Sequence, residues 1–384
     1  MAAYLQMGHD SWNLLGNPDI GDYKGLVLSP VNDDPAYVSS RLSRLKEDRA
    51  KFEVILDPQM YNPTIEKGQL GTWSYFPESY ETIDASSVEI WGDLGRKVVS
   101  TASDMSLDAV CSPCPVPKTA SDAYYRFVVD VGDITSDEGQ RRNVDVLLTA
   151  IIRLRELDVP SRALSIASIL SGTRCKRVYL MFLVDDGSGP RDQLSDSTAL
   201  PTAVHLVRLL AKEMQVQVAF TGHDAVLWKY SGAQDIASGK FWNLRRFSPG
   251  RWQDEPTSVK QQVPYFNFGP LLTCMRDADV LRLDRAGWFD NAPSSINPAS
   301  VRILDILRAG SGQAWTSESW VQYLRWFSNT DRRCSEPSDA EALLERADAR
   351  WALLQKQRIL MVDRTNDGKH VREWLIAALE GGAR

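Results

Sequence analysis

The sequence predicts an α/β fold: a closed parallel (β/α)8 TIM-type barrel with a mostly helical C-terminal extension. Three observations lead there. Eight short apolar runs recur within residues 1–250. The runs are continuous rather than alternating, as strands buried on both faces require. Segments with helical periodicity separate them, the alternation that builds a parallel sheet through crossovers. An open doubly wound sheet is the alternative, and closure rests on the first and last runs, where the strand pattern is weakest.

The runs are YLQMG (4–8), GLVLSP (25–30), FEVILDP (52–58), DAVCSPCP (108–115), VDVLLTAII (144–152), RVYLMFLVDD (177–186), VQVAFTG (216–222) and DIASGKF (235–241). Between them, residues 35–52 open on Asp34-Pro35, an N-cap followed by proline at the first helical position. Residues 86–102 are amphipathic. Residues 121–134 fit a helix, although their VVDV core also suits a strand. Residues 160–170 and 200–214 have a clean 3.6-residue period, and 223–232 form a short helix stopped by Gly232. The barrel therefore takes residues 1–252. Residues 253–384 form the second region: a Pro- and Asn-rich stretch to about 300, then three or four helices. In ILMVDRTNDGKHVREWLIAAL the pattern predicts a strand, an Asn-Asp-Gly turn and a closing helix.

The chain has 384 residues, 43% hydrophobic and 24% charged, and a net charge of −6, so no global basic field recruits nucleic acid. The start MAAYLQMGHD lacks a basic region and an apolar core, which argues against a secretory signal. No run reaches the roughly 18 apolar residues of a membrane span, and no membrane partner is expected. Five cysteines, an odd number, suggest reduced thiols in a cytoplasm.

In such a barrel the chemistry sits at the C-terminal ends of the strands. There the sequence offers Asp10 beside His9, Asn32 with Ser29, and Asp57, Gln59 and Tyr61. It also offers Ser112 with Lys118, Asp185 and Asp186, His223 with Asp224, and Ser238, Lys240 and Asn243. Asp57, directly after FEVIL, fits a shielded carboxyl that binds an N–H edge or moves a proton; the plainer reading is a turn residue capping the Pro58 loop. His223 and Asp224 read equally as a base with its orienter or as a residue pair opening a helix. Asp185 and Asp186 have oxygen ligands for a divalent ion, but two carboxylates do not make a site. Cys111 and Cys114 have CxxC spacing without a second pair nearby, so neither a metal nor another cofactor is expected. The loop GKFWNLRRF mixes Lys240, Arg245 and Arg246 with three aromatics. It reads as a phosphate or nucleic-acid grip with a stacking ring, or as a cation–aromatic seam inside the fold.

Taken strand by strand, residues 4–250 resemble the tRNA-guanine transglycosylase superfamily, barrels that exchange guanine in tRNA, or in relatives DNA, for a 7-deazaguanine. Asp57-Pro58-Gln59-Met60-Tyr61 stands where that family has a third-strand aspartate in a DSGGFQ-like segment. VDDG stands at its base-recognising loop, and Gly232 and Asp235 match its Gly-x-Asp before the eighth strand. The resemblance implies a base-exchange glycosyltransferase in nucleic-acid modification linked to bacterial antiviral defence, with Asp57 catalytic; His223 and Asp224 join it as catalytic candidates from the residue reading alone. The resemblance also implies a nucleobase, nucleotide or nucleic acid at the barrel mouth. The chain departs from the family at its eighth-strand nucleophile, where Ala237, Ser238 and Gly239 stand, at its fourth-strand base reader, near Ser112, and in lacking its zinc motif. A catalytically altered barrel that binds a nucleotide, nucleic acid or protein partner is the alternative.

Overall fold

The computed structural model describes residues 2–184, 193–252, 263–290, 297–363 and 366–383. Eight parallel strands close in chain order: β1 (Ala2–Gln6), β2 (Gly25–Leu28), β3 (Glu53–Leu56), β4 (Ala109–Cys111), β5 (Asp145–Arg153), β6 (Arg177–Leu183), β7 (Gln215–Val218) and β8 (Asp235–Ser238). The barrel is thus closed, with β1 and β8 paired from Ala2 opposite Asp235 to Leu5 opposite Ser238. Every strand begins within two residues of the apolar run that predicts it. Nearly all strand residues are buried, as a sheet covered on both faces demands.

The helices follow local signals. In α1 (Pro35–Leu45) the Asp34 carboxylate accepts from the Tyr37 N–H at 2.8 Å, a cap worth about 1 kcal/mol. The helix stops earlier than its pattern suggests, because Lys46 turns to a φ of 49° and residues 46–51 tighten into a 3-10 helix. Ser87 caps α2 (Val88–Asp104) and Ser121 caps α3 (Asp122–Arg142). The VVDV stretch is helical: Tyr125, Val128, Val131 and Thr135 fall on one buried stripe, and α3 runs on to the left-handed Asn143. α4 (Pro160–Leu170), α5 (Ala199–Glu213) and α6 (Ala225–Tyr230) complete this part.

The later residues form a short antiparallel pair, β9 (Phe266–Phe268) and β10 (Thr273–Met275), then α7 (Asp277–Arg285), α8 (Pro298–Ala309), α9 (Thr316–Arg333), α10 (Pro337–Lys356) and α11 (Lys369–Ala383). The hairpin is not expected from VPYFNFGPLL. Conversely, Ile359–Val362 form no strand, and Leu360 is 70% exposed: β-propensity there meets no sheet edge to pair with. The connection after β1 contains only 3-10 turns, Ser11–Leu14 and Pro18–Ile20, and α9 packs over it. Tyr23 donates to the Leu324 carbonyl at 2.8 Å and Ser328 to the Ile20 carbonyl at 3.2 Å. Gly21 sits at a φ of 82°, and a Cβ there would lie 2.1 Å from the Ser328 hydroxyl. A buried Lys229–Asp331 pair at 2.8 Å ties α6 to α9. α10 lies on α6, and α11 on α5.

Polar side chains fill the N-terminal end of the barrel. Arg177 forks onto Glu53, with one contact at 3.2 Å, and reaches Asp145 at 3.0 Å, while the Tyr4 hydroxyl donates to Glu53. Gly25 makes room, since a Cβ would stand 2.3 Å from the Tyr4 ring. Burial works to raise the Glu53 pKa, but Arg177 and Tyr4 outweigh it and hold the carboxyl below its ordinary value. Replacing Arg177 alone by Met strands Glu53 without its cation, so stability to urea should fall by about 3–5 kcal/mol. Replacing both, Arg177→Met with Glu53→Leu, should recover most of that loss; equal losses in the two variants would show that the pair is not the cause.

Candidate active site at the C-terminal end of strand 3

Asp57 follows β3 directly and is 1% exposed. One carboxylate oxygen, Oδ1, accepts from the Gln59 backbone N–H at 3.0 Å and from the Tyr61 hydroxyl at 2.8 Å. Oδ2 has no hydrogen-bond partner among the described residues. Burial raises the pKa of Asp57 to about 6, against the opposing pull of Tyr61, the Gln59 N–H and the Arg251 guanidinium. The Arg251 pKa is lowered to about 10 by burial, with Asp57 acting against the fall. Tyr179, two residues into the inward parity of β6 from Arg177, lies close enough to Asp57 to affect its proton affinity. Its hydroxyl accepts from Gln6 at 3.1 Å.

The loop that carries Asp57 is rigid. Gln59 adopts a φ of 53°, and its side-chain oxygen accepts from Ser29 at 2.9 Å and from the Val31 N–H at 3.1 Å. Asn32 donates to Ser29 in turn. Tyr75 donates to the Pro58 carbonyl at 3.1 Å. Gln59, Asn32 and Ser29 therefore support the Asp57 turn.

Outside Asp57 lies a cleft of about 780 Å³, within the range of small-molecule sites. Tyr61, Asn62, Asp84, Lys118, Tyr124 and Trp252 contribute to its walls. Tyr61 is common to both: its hydroxyl meets Asp57, and the residue lines the cleft. Trp252 packs on the Tyr61 ring edge-to-face at 4.7 Å, and Asn62 donates to the Trp252 carbonyl at 3.0 Å.

The remaining strand-end residues lie apart from Asp57. In the loop after β8, Lys240 stands 4.5 Å from the Trp320 ring and 4.8 Å from that of Phe241. Burial lowers its pKa, with Asp10 opposing. Arg245 lies 3.3 Å over the Tyr323 ring and donates to the Lys240 carbonyl at 2.7 Å and the Gly239 carbonyl at 3.2 Å. Arg246 is buried near Asp224, and Asn243 is exposed. Ser238 donates to the Thr221 carbonyl and meets the Tyr323 hydroxyl on α9. The loop is thus a cation–aromatic seam between the barrel and α9.

His223 and Asp224 are not a base and its orienter. The His223 Nε2 meets Asn267 at 2.6 Å, and burial lowers its pKa to about 3. Asp224 accepts instead from the Gly222 N–H and the Trp228 indole, each at 2.7 Å. Ser112 accepts from the Thr149 N–H at 2.9 Å and serves the β4–β5 wall. Asp10 pairs with His9 at the surface, at 3.2 Å. Asp185 and Asp186 lie outside the described residues. Among the described residues no three His, Cys, Asp or Glu side chains converge as a metal site would require. All five cysteines are buried and unpaired. Sequence reasoning passed over Tyr179, Tyr75, Tyr124 and Trp252. Only Tyr179 had a usable signal: it shares inward parity with Arg177, two polar-tipped residues in an apolar strand.

No protein-family model matches the chain, and comparison with curated protein sequences finds no match. Similar solved structures are barrels. A type I 3-dehydroquinate dehydratase from Clostridium difficile is 8% identical, with 65% of this chain and 88% of that one covered, at a TM-score of 0.36. An L-ribulose 3-epimerase is 10% identical (68% and 89% covered, TM-score 0.35). A D-allulose 3-epimerase from Methylomonas sp. is 12% identical (62% and 83% covered, TM-score 0.35). At these values the likeness carries no statement about activity. No family model supports a base-exchange transglycosylase, and the resemblance drawn from the strand ends is corrected accordingly. With it go the glycosyltransferase activity, the guanine or 7-deazaguanine substrate and the link to antiviral defence. The physical ground agrees: Ala237 to Gly239 supply no carboxylate, and the cations after β8 already have aromatic and carbonyl partners. No helix among the described residues is long and apolar enough to cross a membrane.

Two measurements check this description. Because burial raises Asp57 above its unfolded value, its contribution to stability is whole below the ordinary carboxyl pKa and is lost as pH rises through about 6. His223 and His370, lowered to about 3 and about 4 chiefly by burial, act oppositely: their contribution is lost as pH falls below the ordinary imidazole value. Both histidines are shared by wild type and Asp57→Asn, so the difference isolates the carboxyl. The variant should gain on the order of 2–3 kcal/mol relative to wild type between pH 4 and pH 8; a pH-independent difference would contradict the assignment. Separately, Arg245→Ala removes a cation–ring contact and two carbonyl partners, and should lower stability by about 2–3 kcal/mol, measured by chemical denaturation at pH 7.

Proposed function

We propose that the chain is an enzyme that moves a proton on a small polar molecule held in the cleft beside Asp57. The observation that carries the reading is the Asp57 carboxyl itself: buried at a strand end, poised at about 6, with one oxygen unpartnered and the other bonded to a tyrosine that lines the cleft. At neutral pH such a group is mostly ionised and able to accept a proton, the condition for a general base.

Tyr61 connects the carboxyl to the cleft. A substrate proton passes to the Tyr61 oxygen as the Tyr61 proton passes to Asp57 Oδ1, leaving tyrosine unchanged, Asp57 neutral and the substrate one proton poorer. Burial lifts the Tyr61 phenol well above its usual range, so it serves as a relay rather than as a standing phenolate. Lys118, also in the cleft wall, supplies a cation to the negative charge that develops on the substrate. A cytoplasmic location goes with this reading, since five unpaired cysteines persist in a reducing compartment.

The test is turnover in heavy water of a mixed small-molecule extract, followed by mass spectrometry. At least one compound should change in mass or take up deuterium with wild type, with Asp57→Asn and Tyr61→Phe slower by at least a hundredfold. The rate should fall as pH drops below about 6, where Asp57 gains its proton. Equal turnover by wild type and Asp57→Asn would overturn the proposal.

A further inference from the structure

A second concavity, of about 570 Å³, is lined by residues of α9 and α10. Its residues come at helical spacing. Arg325, Asn329, Arg332 and Arg333 share a face of α9, and Arg346 and Arg350 stand one turn apart on α10. Five arginines thus line one cleft, and no aspartate or glutamate lines it with them.

Their charges are poorly answered from within the protein. Arg325 has only a 3.5 Å contact to the Asp19 carbonyl. Arg332 meets the Asn329 amide oxygen and, at 3.6 Å, Asp22, whose side chain is 95% exposed. The side chains of Arg333, Arg346 and Arg350 take part in no ion pair or hydrogen bond among the described residues. Burial, then the like charges of Arg346 and Arg333, lower the pKa of Arg350. Cations gathered this way repel one another, and the contrast with the rest of the chain is direct. Arg162, Arg174, Arg177, Arg302 and Arg308 all meet carboxylates.

Guanidinium forks match phosphoryl oxygens two at a time. Five forks exceed what a single monoanion can satisfy, and the volume suits a small molecule. Trp326, wedged against Gly269 where a Cβ would stand 2.5 Å from its indole nitrogen, gives the cleft a fixed wall. We propose that the cleft between α9 and α10 binds a small oligophosphate, a ligand with at least two linked phosphoryl groups bridging the arginines of the two helices.

The test is isothermal titration of the full chain with inorganic tripolyphosphate, with orthophosphate and sulfate as comparison anions. Tripolyphosphate should bind one per chain, at least tenfold more tightly than either single anion. Arg346→Gln with Arg350→Gln should weaken it at least tenfold. Because that double variant relieves repulsion, its melting temperature without ligand should equal or exceed wild type, while the rise caused by tripolyphosphate should shrink. Arg350→Lys, which keeps the charge and loses the fork, should fall between the two. The proposal is overturned if tripolyphosphate does not bind, if sulfate binds as tightly, or if the double variant retains wild-type affinity.

Discussion

One guanidinium inside the N-terminal end of the barrel governs the rest. Arg177 joins the first residues of β3, β5 and β6, and through Glu53 it reaches Tyr4 of β1. Slipping any of these strands by a residue would turn a charge to the wrong face and leave its partner buried alone. A register held at one end fixes which side chains emerge at the other. Asp57 has the parity of Glu53, Tyr179 that of Arg177, and Gln6 that of Tyr4. They converge near the mouth because their counterparts converge at the base.

This coupling explains what could be read from the sequence. The eight strands were legible because burial on both faces leaves an apolar run whatever the connections do. Closure was less so, since it depends on pairing Ala2 with Asp235, and neither residue looks like the partner of the other. Two elements escaped for lack of local signal. The β9–β10 hairpin is three residues a side, and its left-handed position is taken by Leu272, not by the Gly269 that opens the turn. The Ile359–Val362 run has strand composition but no neighbour. Asp57 was visible as a carboxylate ending an apolar strand. The Tyr61 bond and the cleft beyond it depend on Trp252, nearly two hundred residues on in the chain.

The cations show the same limit from the other side. GKFWNLRRF looks like a ligand grip because its basic residues are bunched along the chain. In space, rings and carbonyls of α9 and the loop itself already hold them. The arginines that lack partners are scattered at helical intervals through segments also rich in glutamate and aspartate, such as DAEALLERADARW, where the acids point elsewhere. Linear density of charge is a poor guide to electrostatic imbalance; the face of a helix on which each charge falls decides it.

The cover that α9 gives to the first βα connection sets an order of events during synthesis. Tyr23 finds the Leu324 carbonyl only after 301 further positions of chain have been made. Until then the outer side of β1 has only its 3-10 turns to shield it from water. A nascent chain leaving the ribosome therefore carries an unsealed wall for most of its translation, with apolar surface open to other chains. Final sealing waits on a contact of very long sequence separation, which loop-closure entropy makes slow.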